Sequence, residues 1–155
     1  MVWVALGSNL GNSREILINA IARLQELSTT PLVQSSLIKT APVNCPPGSP
    51  NFVNAVVALT PRPDETPESL LAKLQALEKE FGRQPKIVLN EARPLDLDLI
   101  AFGQETRATV SLTLPHPRAH LRQFVLQPLA EIAPDLILPG QSKTVAQLLT
   151  ALPAK

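Results

Sequence analysis

The stretch EARPLDLDLIAFG, residues 91–103, decides the fold. In it Leu95, Leu97 and Leu99 alternate with Asp96 and Asp98. Successive side chains on a strand point to opposite faces. This is therefore the pattern of a β-strand with its leucines in a core and both carboxylates on the other side. Aspartate is depleted in strands because its short polar side chain competes for backbone hydrogen bonds. Two of them, one residue apart, need a reason. Same-side neighbours on a strand stand roughly 7 Å apart, where two carboxylates can jointly hold hard cations. A pair of Mg²⁺ ions about 3.5 to 4 Å apart is a recurring device of phosphoryl transfer. Left ionised and unpartnered, the two acids would cost repulsion and desolvation. The plainer reading is a half-exposed strand whose aspartates are solvated.

Working back from this strand, VWVALGS (residues 2–8) is short, apolar and β-rich, and reads as a buried strand. In residues 9–27, Leu17, Ala20, Ile21, Leu24 and Leu27 share one helical face, and Asn12 with Glu15 resembles a capping box. LVQSSLIKT (32–40) and FVNAVVALT (52–60) read as strands, separated by a loop too long for a tight hairpin. Thr66 as N-cap and Pro67 behind it open a second helix. Its stripe is Leu70, Leu74, Leu77 and Phe81, and Gly82 stops it. Beyond residue 103, helical pieces are expected around FVLQPLAEIA (124–133) and TVAQLLTAL (144–152). The order strand, helix, strand, strand, helix, strand predicts an α+β, ferredoxin-like sandwich (a split βαβ). Its sheet is expected to be mostly antiparallel, with helices on one face and C-terminal helical additions. The second face is left free for a site, or for cover by loops and the tail.

Composition narrows the classes. The 155 residues suit one domain spanning 1–155, and most of the 16 prolines punctuate, as at Pro31, Pro61, Pro63 and Pro139. With 14 basic and 13 acidic side chains the net charge is +1, which argues against a nucleic-acid partner. The one cysteine, Cys45 in NCPPGSPN, has no partner for a disulfide and no metal-spaced neighbour, and reads as a bystander. The start lacks a signal peptide, and no run approaches a membrane span. A soluble, cytoplasmic chain is expected.

The neighbours of the two aspartates favour phosphate chemistry. Arg93 precedes the strand, and Arg83 and Lys86 lie in the loop before it. Downstream, PHPRAHLRQF sets His116, Arg118, His120 and Arg122 at alternate positions. Guanidinium groups bind phosphate oxygens bidentately, so two acids for Mg²⁺ among Arg and His make a coherent nucleotide-phosphate site. Surface salt bridging is the competing account. The chain has no GxxxxGK[ST] loop, and GSNLG (7–11) reads as a strand-to-helix turn.

Several pieces in order resemble the 6-hydroxymethyl-7,8-dihydropterin pyrophosphokinase family: ALGSNLG, FVNAVVAL, LEKEFGR, RPLDLDLI and LPHPRAHLRQFVLQPLAEIAPDL, over residues 5 to 138. The resemblance implies transfer of pyrophosphate from ATP to the hydroxymethyl group of a reduced pterin, giving AMP, within folate biosynthesis. It implies two Mg²⁺ ions held by Asp96 and Asp98, with Asp96 near the attacking hydroxyl, and Arg93 and Arg83 among the catalytic residues. For ATP it implies Leu71, Gln75, Glu78, Arg93, Leu99, Thr113, His116 and Arg122. For the pterin it implies Thr40, Ala41, Val43, Phe52, Asn54 and Phe124. It also implies a small-molecule enzyme, monomeric or weakly dimeric, with no membrane partner.

The departures from the family pattern all fall in the loop before the two-aspartate strand, except one at Leu121. Asn90, Glu91 and Ala92 stand where relatives carry Trp-Gly-Pro, and Gln84, Pro85 and Lys86 where a second Arg is common; Leu121 replaces a frequent Glu. An asparagine does not stack on a pterin as an indole does, so weaker substrate trapping with intact chemistry is expected. A catalytically weak ATP-binding homologue is the first alternative. A non-enzymatic ferredoxin-like module is the second; one Trp, four Phe and no Tyr are a poor stacking set for RNA. A polymerase-palm or cyclase site also pairs acids on such a sheet, but does not predict Asn54, Phe124 or the Pro-His-Pro-Arg run.

Overall fold

The computed structural model describes residues 1–41, 48, 50–82 and 94–152. The two-aspartate strand is present as β5 (Asp96–Phe102), at one edge of the main sheet. Before it come β1 (Val2–Ser8), α1 (Ser13–Gln25), β2 (Val33–Gln34), β3 (Ile38–Thr40), β4 (Phe52–Leu59) and α2 (Pro67–Glu80). The sheet order is β2–β4–β1–β5, β3 also pairs with β4, and each of these pairings is antiparallel. With β2 and β3 taken as one interrupted strand, this is the split βαβ order expected from the sequence.

The interruption has a local cause. Ser35 exchanges backbone for side chain: its N–H donates to the Val56 carbonyl, while its hydroxyl accepts from the Val56 N–H, each at 2.9 Å. The Glu131 carboxylate then takes both the N–H and the hydroxyl of Ser36, at 2.8 and 2.7 Å. Serine side chains compete with ladder bonds in this way, so the run 32–40 breaks while both halves stay on β4.

Helix ends follow the sequence signals. Thr66 and Ser69 form a reciprocal capping box ahead of Pro67, and Gly82 stops α2 with φ +93°. At α1 only half the box forms. The Asn12 side chain accepts from the Glu15 N–H, but the Glu15 carboxylate takes the Asn12 side-chain amide instead of its backbone N–H.

Two cores lie on the two faces of the sheet. One joins Val4 and Leu6 of β1, Val57 of β4 and Leu95, Leu97 and Leu99 to Leu17 and Leu24 of α1 and Leu70 and Leu74 of α2. The tail covers part of the other face with α3 (Gln123–Ile132) and α4 (Val145–Ala151), which pack Leu126, Leu129, Val145 and Leu148 on Ala5, Val56 and Ile100. Cover on both sides explains why β4 is buried without alternation from Asn54 to Leu59. Among the described residues no helix is long and apolar enough to cross a membrane.

Beyond β5 the chain makes a short hairpin, β6 (Arg107–Ala108) and β7 (Thr113–Leu114). Strands of two residues are too short for a period to register in the sequence. The Arg107 guanidinium ties the hairpin to Glu68 of α2 at 2.6 Å.

Candidate active site

Three strands build the site from one row of residues. Gly7 of β1 pairs with Asn54 of β4 on one side and with Asp96 of β5 on the other; one step along, Ala5 pairs with Val56 and Asp98. Alternation puts Phe52, Asn54, Gly7, Asp96 and Asp98 on the face that carries α3 and α4. Neighbouring strands are about 4.8 Å apart, so Asn54 and Asp96 stand on the order of 10 Å from each other across Gly7. The tail helices fill the Val56–Ala5–Ile100 part of this face, and the row through Gly7 lies beyond that part.

β5 carries an irregularity beside the aspartates. Its register against β1 shifts between Leu99 and Ala101, leaving Ile100 as an extra residue. Ile100 and Ala101 both join the tail-side core, while Leu95, Leu97 and Leu99 keep to the helix side. The Ile100 carbonyl accepts from the His116 N–H at 2.8 Å, which brings the Pro-His-Pro-Arg segment to the strand edge. Farther along the same edge the Glu78 carboxylate accepts the Leu97 N–H at 2.8 Å. An edge strand with unpaired amides is a liability, and here both α2 and the segment after β7 engage it.

His116 is half-buried. Burial lowers its imidazole pKa from 6.5, Arg122 and Arg118 lower it further, and Asp96 opposes them. Arg122, Arg118 and Asp96 thus each lie within electrostatic reach of His116. The Arg122 guanidinium stands 5.3 Å from the centroid of the Phe124 ring, a cation–π distance. Phe124 in turn packs against the tail-side core. The Asn54 amide, buried, donates to the Thr40 hydroxyl.

The structure thus brings Asp96, Asp98, Asn54, Phe52 and Thr40 onto or beside one face, with Phe124, Arg122 and His116 at its margin. Leu71 is partly buried and Leu99 buried in the helix-side core, away from the carboxylates, and Gln75 and Thr113 are exposed. Ala41 is exposed next to Thr40. Arg83, Arg93, Val43, Lys86, Cys45 and the substituted positions 84–92 lie outside the described residues. A separate cleft of about 480 Å3 opens at the start of α1, lined by Asn9 to Arg14, Lys39, Pro50, Asn51 and Val53. Val53 faces away from its neighbour Asn54, and that lining holds neither a carboxylate nor an aromatic ring, so the cleft lacks the chemistry of the Asp96 face.

Among the described residues, no three His, Cys, Asp or Glu side chains group as a metal site. Two strand carboxylates still fit Mg²⁺, which commonly takes one or two protein carboxylates and fills its remaining positions with phosphate oxygens and water.

Comparison with known proteins shows the family of the chain. Residues 3–134 match the family model described as 7,8-dihydro-6-hydroxymethylpterin-pyrophosphokinase (HPPK). The chain belongs to that family. It is 40% identical over 151 residues to the 2-amino-4-hydroxy-6-hydroxymethyldihydropteridine pyrophosphokinase of Haemophilus influenzae, covering 97% of this chain and 89% of that protein. It is 40% identical over 152 residues to the Pseudomonas aeruginosa protein of the same name, covering 98% and 91%. Among solved structures, a Plasmodium falciparum HPPK-DHPS variant with pterin and p-hydrobenzoate superposes with a TM-score of 0.71 over 96% of this chain and 43% of that one, at 13% identity. That likeness carries the fold. As a member of the pyrophosphokinase family, the chain is a diphosphokinase transferase that moves pyrophosphate from ATP to hydroxymethyldihydropterin in folate synthesis.

Gly7, the residue shared by the row, was missing from the sequence reading of the site. The signal was available: a glycine inside a strand pattern marks a close approach.

Proposed function

We propose that the row Asn54–Gly7–Asp96 is where this transfer takes place, with the pterin at the Asn54 end and the ATP phosphates at the Asp96 end. The observation that supports this most is that the amide and both carboxylates share one face and one register across β1. Asn54 offers donor and acceptor to a ring edge that has both. Phe52 and Phe124 supply apolar surface for the ring.

Asp96 and Asp98 are the residues that would hold Mg²⁺, and the bound ions would neutralise the charge of the phosphates. Beside them Arg122 and His116 would meet phosphate, a role the family resemblance also implies for Arg83 and Arg93. For the nucleoside, the family resemblance implies Leu71, Gln75, Glu78, Leu99 and Thr113, from α2, β5 and β7, with Leu99 buried in the helix-side core and Leu71 packed against it. The hydroxymethyl oxygen attacks the β-phosphorus, the bridging bond to the α-phosphate breaks, and AMP leaves. Asp96 is close enough to the phosphate end to orient that hydroxyl or take its proton. Positioning and charge neutralisation are the protein's main contributions.

Phosphorus NMR of the protein with ATP, Mg²⁺ and the reduced hydroxymethyl pterin tests the reading. AMP and a pterin diphosphate are expected, and omission of Mg²⁺ should stop their formation. ADP in place of AMP would overturn the β-phosphorus assignment. Bound ATP without turnover would identify a silent homologue.

A further inference from the structure

Gly7 is buried in β1, paired on both sides. Glycine there loses more backbone entropy on folding than any other residue and brings no side chain to pack. Its backbone gives no reason for the choice, because Gly7 is not among the glycines with positive φ. The reason is space. A Cβ at Gly7 would lie 3.0 Å from Asn54 Oδ1 and 3.5 Å from the Phe52 ring. From its other end the same amide is held by the Thr40 hydroxyl. An added methyl would therefore push against an amide that is already tethered.

We infer that Gly7 is a positioning residue for pterin recognition: by carrying no side chain it lets the Asn54 amide lie against β1 at the height from which it meets the ring. Gly7 is also the register partner of Asp96, so the pterin contact and the carboxylates stand in one row of the sheet, but the space that Gly7 leaves is on the side of Asn54 and Phe52. The inference rests on the placement of the pterin at Asn54 proposed above.

The test is a double-mutant cycle on pterin KM at saturating ATP and Mg²⁺, using Gly7→Ala, Asn54→Ala and the double variant. Gly7→Ala is expected to raise pterin KM about tenfold or more, since sub-ångström misplacement of a contact is costly in rate and binding. Its affinity for a non-hydrolysable ATP analogue with Mg²⁺, measured without pterin, should stay within about twofold, a split that general loosening of the fold would not give. In the Asn54→Ala background the same glycine change should shift pterin KM by less than about threefold. Equal effects in both backgrounds, or equal losses for pterin and nucleotide, would overturn the inference. If Asn54→Ala leaves pterin KM unchanged, the pterin placement fails instead. Should Gly7→Ala not fold alone, the double variant decides. With the amide gone it should fold as stably as Asn54→Ala, and a double variant that does not fold sinks the proposal.

Discussion

At the scale of single residues, the two aspartates and the histidine make separable predictions. Asp96 and Asp98 are half-buried on the strand face opposite the leucine core, and the proposed site uses them for metal. Asp96→Ala and Asp98→Ala are each expected to lower AMP release at least about a hundredfold, the usual loss when a pre-placed electrostatic group is removed. Thermal unfolding should remain cooperative. A variant that kept near-normal turnover would break the metal assignment. His116 makes a pH prediction. Burial, then Arg122 and Arg118, hold its imidazole below 6.5 against the pull of Asp96. As pH falls, the unfolded chain therefore binds this proton before the folded one does. The stability tied to the neutral imidazole is complete above about pH 6.5 and is lost as pH drops through the folded value. Urea unfolding of the ligand-free protein and of His116→Gln, from about pH 8 down to about pH 5, should show a stability difference that changes across that window. A difference that stays flat with pH would refute it.

At the scale of elements, the break between β2 and β3 is the most informative feature. It depends on one hydroxyl that stands in for a backbone partner, with the Val56 N–H as its donor in a buried setting. Ser35→Ala would leave that amide without its acceptor, at a cost of about 1–3 kcal/mol in urea unfolding. A loss near zero would mean that the two pieces rejoin as one regular strand. The break was not legible in the residues 32–40, because their apolar and β-branched content is that of a continuous strand. What interrupts them includes Glu131, which is remote in sequence. The irregularity at Ile100 is of the same kind. The alternation of leucine and aspartate predicted the strand, and nothing in it predicted that Ile100 and Ala101 would both join the tail-side core.

At the scale of the molecule, the two cores share one sheet and should unfold together. Leu74→Ala on the helix side and Leu126→Ala on the tail side are each expected to cost about 2–5 kcal/mol. Trp3, the sole tryptophan, packs on the tail-side core, so its fluorescence reports that face while circular dichroism reports the whole. Coincident transitions are expected for both variants. A separate fluorescence transition in Leu126→Ala would make the tail an independent unit. The tail also shapes the site, since α3 and α4 pack on the Val56–Ala5–Ile100 part of the sheet's second face, next to the row through Gly7.

The sequence by itself determined the order of the main strands and helices, both long helices and the stop of the second, the leucine core and the side on which the aspartates stand. Each is written in local period and capping chemistry, which neighbouring residues carry without help. It also held the family resemblance, and with it the assignment of Asp96, Asp98 and Asn54 to the proposed site. Only the tertiary structure decided that Asn54 and Asp96 share one row, since that register is set by the antiparallel pairing of β4 and β5 to either side of β1. Only it gave Gly7 a purpose, because a missing Cβ has meaning once the amide it admits is in place. The residues that meet at this site come from strands separated by dozens of positions, and no period along the chain encodes contacts between them.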